Sequence, residues 1–258
     1  MKLSHKRFPK DRLSWSVMIF LGLVMMGASY AFQYWGEQYV SSGLAAVLFA
    51  TAPLFVVIFA HLLLENERIT RRKGVGIIIS FGGMLVIFWR DLTPVFGSGI
   101  QLSLYGAIAE VASAAVTALA IVVYKRFYAK IDRLVNLSAQ TIIGSVFLLA
   151  LGVVLEKSSP LDFTPLAIVA IIYLGLATTL PFIGYYWLIE KNPIISVSMI
   201  TFITPVLALI LGWVVLGEPV SVSTIIGGAL ILTGVYLTVG SVKHAKNNVA
   251  QSSQANTA

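Results

Sequence analysis

The sequence predicts an all-α integral membrane protein of about eight transmembrane helices, and three observations carry that prediction. Hydrophobic residues make up 58% of the chain and charged residues only 11%, with a mean hydropathy of +0.89, far from a soluble composition. The charges gather at short boundaries and leave long uncharged runs. A hydrocarbon core takes about 20 apolar residues as helix, and most of these runs exceed that. Of the 18 lysines and arginines, 16 fall in alternate boundaries, as the positive-inside rule requires of a multi-pass chain. A transmembrane β-barrel would show short alternating segments, which this sequence lacks.

Taken in order, a basic start (Lys2, Lys6, Arg7, Lys10, Arg12) precedes the first run, 13–36. That run is far longer than the apolar part of a signal peptide, so it reads as a retained span even though Ser29–Ala31 offers a small-x-small pair. The second run is 38–64, and the third, near 72–90, is short and glycine-rich; Arg68, Arg71, Arg72 and Lys73 lie between them. The fourth, near 101–124, carries Glu110 and ends at Lys125, Arg126, Lys130 and Arg133. Then come 134–155, 163–189, Lys191, 192–217 and 219–242, with Lys243 and Lys246 opening the C-terminal segment. Only Arg90 and Lys157 fall in the other set of boundaries. The expected protein is therefore a multi-pass protein of the cell (plasma or inner) membrane with both termini cytoplasmic. Its net charge of +7 reports topology and not a nucleic-acid partner. The stretch 243–258 is too polar to fold around anything and is expected to be a disordered cytoplasmic tail.

The chain repeats itself. Tyr34-Trp35 and Tyr186-Trp187 lie 152 residues apart, as do Pro53 and Pro205. TAPLFVVIFAHLLLE matches TPVLALILGWVVLGE in character, with Glu65 and Glu218 closing the two segments. The next helices share a Gly-x6-Gly spacing, Gly76/Gly83 and Gly227/Gly234, which suits close helix packing in a membrane. Counting crossings, the first copy of each element starts on the opposite side from the second. The repeat is inverted, an arrangement typical of secondary transporters.

A Tyr/Trp-ended helix, a helix with internal proline closing on glutamate, and a glycine-spaced helix, occurring twice in that order, resemble the EamA-type repeat of the drug/metabolite transporter superfamily. The resemblance runs from about Ser14 to Gly240. It implies two inverted five-helix repeats around a central cavity, moving amino acids, other metabolites, nucleotide sugars or drugs. Here the second repeat, 99–242, has five helices, whereas 1–90 holds only the last three of the first. The fold expected is thus an incomplete inverted pair of EamA-like repeats. A shortened gene product, a late start codon and an eight-helix protein completed by a partner, a homo-oligomer among the options, all fit that pattern. The expected function is secondary transport, in the export direction, of small metabolites, amino acids or drug-like compounds by alternating access, with proton coupling as an option. The alternative is a non-transporting or degenerate membrane subunit.

Glu110 is the outstanding candidate residue. Helix rise puts it about 13–14 Å from Gln101, near the middle of a core about 30 Å thick. A charge there costs at least about 2.5 kcal/mol on insertion scales. Ser103, Gly106, Glu110, Ser113 and Thr117 follow steps of three and four, so they form one small, polar face directed into the bundle. Ala109-Glu110-Val111-Ala112-Ser113 also resembles the first-helix signature of small multidrug resistance proteins, which implies a glutamate shared by protons and a cationic substrate. The competing reading is a structural, protonated carboxylic acid. Tyr34, Tyr185 and Tyr186 are candidates to cap a cavity and meet an amine through cation–π contacts, against an interfacial-belt role for the neighbouring Trp35 and Trp187. Pro53 and Pro205 are read as helix bends within apolar spans.

Nothing points to catalysis. The chain has no cysteine, no metal-ligand spacing such as His-Glu-x-x-His, no nucleophile elbow and no Gly-rich phosphate loop. No cofactor, metal or ATP hydrolysis is expected, and no enzyme activity. Glu65, Glu67 and Glu218 read as solvated or paired acids at helix ends.

Overall fold

A computed structural model describes residues 9–65, 67, 69–89, 100–155, 164–216 and 221–255. The residues so described are almost entirely helical and include no strand. α1, Arg12–Gly36, starts at the Asp11 cap, whose carboxylate accepts from the Ser14 N–H at 2.8 Å, and is π-helical over Gly22–Ala28. α2, Ser42–Phe49, and α3, Ala52–Leu63, form one interrupted span; α4 is Arg71–Ile87. α5 is Ile100–Phe127, α6 Arg133–Leu155 and α7 Pro165–Lys191. α8, Ile194–Ser198, and α9, Ile200–Leu216, form a second interrupted span before α10, Val222–Ala255. Ser41, Thr70 and Thr164 cap α2, α4 and α7 through their hydroxyl oxygens.

Among the described residues, six helices are long and apolar enough to cross a membrane. The other two expected spans are the 17-residue α4 and the interrupted α8–α9. The surface is apolar, with Leu166 78%, Tyr173 68% and Val153 79% exposed, and all five tryptophans are exposed as well. Ser29, Ser80, Glu110, Ser113, Asn136, Gln140 and Thr238 are buried. A chain solvated by lipid has this inside-out polarity, because polar groups find partners only inside the bundle.

Glycines set the close contacts. α4 and α10 pack antiparallel, Gly76 against Gly234 and Gly83 against Gly227. A Cβ on Gly83 would lie 2.6 Å from the Gly227 carbonyl oxygen, and one on Gly227 would lie 2.6 Å from that of Gly83. Ser80 donates to the Ile231 carbonyl at 3.2 Å in the same seam. Gly76 and Gly83 are the repeat partners of Gly227 and Gly234, so each contact is the image of the other under exchange of the copies. That self-complementary pattern marks a twofold relation between the two helices. α1 packs parallel to α6, where Gly144 abuts Met26 and Gly22 abuts Ile143, and antiparallel to α5.

Two expectations change. Pro53 lies in the first turn of α3, after a break at Ala50–Thr51, and so starts a helix instead of bending one. Proline belongs there because the first-turn N–H groups have no helical partner to lose. Pro205 does stay inside its helix, and the break falls at Met199, six residues earlier. The helix α10 also continues to Ala255, through much of the stretch expected to be disordered; no glycine or proline after Gly240 stops it.

Candidate functional site

Both interrupted spans meet at one place. A cavity of about 400 Å³ lies among α1, α2, α5, α7 and α9, lined by Met25, Ala46, Phe49, Thr117, Pro181, Phe182, Tyr185, Ile200, Thr201, Thr204 and Pro205. Both halves of the chain therefore contribute wall. Two prolines from neighbouring helices, Pro181 and Pro205, face it, each inside a helix where it removes a backbone hydrogen bond and its ring displaces the preceding turn. The Thr204 hydroxyl donates at 3.0 Å to the carbonyl of Ile200, one residue before the Thr201 carbonyl that Pro205 leaves without its helical donor. The polar groups on the wall are neutral: Thr117, Thr201, Thr204 and the Tyr185 phenol. Neither a carboxylate nor a basic side chain lines it.

A second cavity, of about 230 Å³, lies among α1, α6 and α7. Tyr30 and Tyr34 stand on its α1 side with ring centroids 5.6 Å apart, opposite Thr141 and Ser145 of α6 and Thr178 and Thr179 of α7. Phe182 belongs to the walls of both cavities and packs edge-on to Tyr185 at 6.3 Å. Its side chain is common to both walls.

The polar face of α5 does not open into either cavity as a whole. It lies against α1. The Ser29 hydroxyl is 3.0 Å from that of Ser113 and 2.5 Å from that of Thr117, and Ser113 donates to the Ser29 carbonyl at 2.9 Å. One turn further toward the N-terminus of α5, Glu110 is fully buried, with neither carboxylate oxygen hydrogen-bonded. Its neighbour is Gly36, the last residue of α1, and Glu37 stands next in the chain. Glu110 thus sits level with the end of α1, not midway along it.

The six candidates from the sequence accordingly separate. Thr117 and Tyr185 share the larger cavity, and Tyr34 lines the smaller one. Ser113 bonds to α1, Glu110 has its own niche, and Tyr186 is core: its hydroxyl donates to Gln140 Oε1 at 2.8 Å and approaches Met25 Sδ at 3.2 Å. Sequence reasoning missed Phe182 and Pro181. A proline within the apolar run 163–189, next to an aromatic, was the available signal.

A family model described as the EamA-like transporter family matches residues 2–89 and 104–240. An uncharacterized transporter of Archaeoglobus fulgidus is 31% identical over 220 residues, covering 85% of this chain and 75% of its own. The uncharacterized transporter YoaV of Bacillus subtilis is 29% identical, covering 83% of this chain and 72% of its own. One solved crystal structure shares the fold with a TM-score of 0.75 at 17% identity, covering 93% of this chain and 79% of that one. This chain belongs to the EamA-like transporter family.

Proposed function

We propose that this EamA-family chain is a secondary transporter, working in export, that carries a small solute by alternating access through the cavity of about 400 Å³. The observation that carries the reading is the composition of that cavity's wall. Interrupted spans from both halves of the chain meet there, and an interrupted helix is where a membrane protein can expose unsatisfied backbone groups to a solute. The basic residues Lys125, Arg126 and Lys191 gather with Leu63 and Glu67 at one end of the bundle, which we assign to the cytoplasm together with both termini.

The neutral wall favours uncharged or zwitterionic solutes with an apolar body over cations. Phe182 and Tyr185 offer ring faces, and the threonines and the phenol offer hydrogen bonds. Glu110 is the proton-exchanging group in this reading. It lies one turn from a run of hydroxyls, Ser113, Ser29 and Thr117, and the last of these reaches the cavity. Sliding of α1 along α5 would alter the carboxyl niche and the cavity wall together, which is what coupling needs. The reading is tested in proteoliposomes with a panel of neutral, zwitterionic and cationic solutes, with and without a pH gradient. Accumulation of a neutral or zwitterionic solute is the expected result. No accumulation of any solute, and no thermal shift on adding one, would sink it.

A further inference from the structure

The basic end of the bundle holds a second polar assembly, outside both membrane cavities. α7 ends at Lys191 and α8 begins at Ile194, with Asn192 and Pro193 between them. Pro193 favours the break between them, since it lacks the N–H and disfavours a helical residue before it. The loose end of α7 is then gripped by three side chains from other helices. Lys125 of α5 donates to the carbonyls of Ile189 and Asn192, at 2.5 and 3.0 Å. Tyr124 donates to Glu190 Oε1 at 2.8 Å, and Arg133 of α6 meets Glu190 Oε2 at 3.2 Å.

The start of α8 is gripped from the other half of the chain. Glu67, in the turn between α3 and α4, is buried and accepts the Ile194 N–H at 2.6 Å. Arg126 donates to the Leu63 carbonyl at 3.2 Å, so the last turn of α5 holds the end of α3 as well. Side chains match backbone polarity at both sides of the break: a cation on the carbonyl end of α7 and a carboxyl oxygen accepting the amide at the start of α8. α8 leads through Met199 directly into Ile200 and Thr201 of the larger cavity.

We propose that Glu67 and Lys125 form a latch that holds the Asn192–Pro193 break closed, and that its release opens the larger cavity toward the basic end. The proposal rests on the cavity serving as the transport site. Yet it is a statement about access, which can be read without any substrate. Release must separate Glu67 from Ile194, a contact that joins the two halves alternating access moves apart, and free the end of α7 from Lys125 within the second half.

The chain has no cysteine, so a single Thr201→Cys reports access to the cavity without any prior replacement. The protein is reconstituted in liposomes, and the rate of labelling by a membrane-impermeant maleimide is measured separately from each face. Glu67→Ala and Lys125→Met are expected to raise labelling from the face bearing Lys191 by about tenfold, the equivalent of ~1.4 kcal/mol, while labelling from the opposite face does not rise. Glu67→Gln keeps an acceptor for the Ile194 N–H and is expected to stay near the parent rate. Unchanged rates in both opening variants would overturn the latch, and so would equal increases from both faces, the signature of a loosened fold. Should the latch variants respond while no solute is ever transported, the latch stands and the transport reading falls.

Discussion

Gly36 and Glu110 meet across the α1–α5 interface with no room for a methyl group: a Cβ on Gly36 would lie 2.9 Å from Glu110 Oε1 and 2.9 Å from the Gly106 carbonyl oxygen. Gly106 is held by the same contact from the other side, its would-be Cβ 2.9 Å from the Gly36 carbonyl. Gly36→Ala must therefore push the two helices apart or turn the carboxyl out of its niche. Overpacking of this kind costs roughly 1–3 kcal/mol. The expected outcome is a melting temperature several degrees lower in detergent. Ala substitution at Gly82, which has open space around it, serves as the comparison and should change little.

Replacing the carboxyl itself separates packing from proton exchange. Glu110→Gln keeps the volume of a buried side chain that makes no hydrogen bond, so the fold should be retained, and melting in detergent checks this. In proteoliposomes the variant is expected to move solute down its own gradient but to lose the extra accumulation that a pH gradient drives. Coupled accumulation at the parent level would remove Glu110 from the mechanism and leave it a structural acid.

The outline of this protein was legible in its residues, whereas the placement of its polar groups was not. Hydrophobic runs and alternating basic boundaries are one-dimensional signals, and the matched glycines of α4 and α10 revealed a packing seam because both partners share one spacing. The face Glu110–Ser113–Thr117 was correctly grouped by helical periodicity. Its partner was not predictable, since facing α1 or facing a cavity gives the same spacing. Phe182 went unnoticed because an aromatic in an apolar span looks like any lipid-facing side chain. Glu67 looked like a surface acid, and only the fold, bringing Ile194 after the Asn192–Pro193 break against it, makes it a buried one.

Phe182 lines both cavities, so its removal is expected to join them. Phe182→Ala is expected to admit solutes larger than any the parent transports. The solutes the parent prefers should bind more weakly, because an aromatic contact is worth about 0.5–1.5 kcal/mol beyond its area, a loss of up to about tenfold in affinity. Competition assays with a size series of one solute class would show it. If the size limit stays where it was, Phe182 is not the partition that its position in both walls indicates.

The Glu67 carboxyl lies outside the spans, and burial pushes it above its ordinary value; the Ile194 N–H, Lys73 and Lys125 pull it the other way without cancelling the shift. Arg126 and Lys191 line the same hollow, with Glu65 beside them in the turn. The sign follows from linkage. A raised value in the closed arrangement means that the protonated form fits better there, so the contribution to stability is fully present below the ordinary carboxylate range. It is lost as the pH rises through the raised value. Opening, which returns Glu67 to water, therefore becomes easier with rising pH across that window. Labelling of Thr201→Cys from the basic end should accelerate as pH increases, after correction for the reagent's own pH dependence on a freely exposed cysteine. In Glu67→Gln, which cannot ionise, that acceleration should disappear while the slow, closed rate remains. A pH response as strong in Glu67→Gln as in the parent would assign the titration to another group.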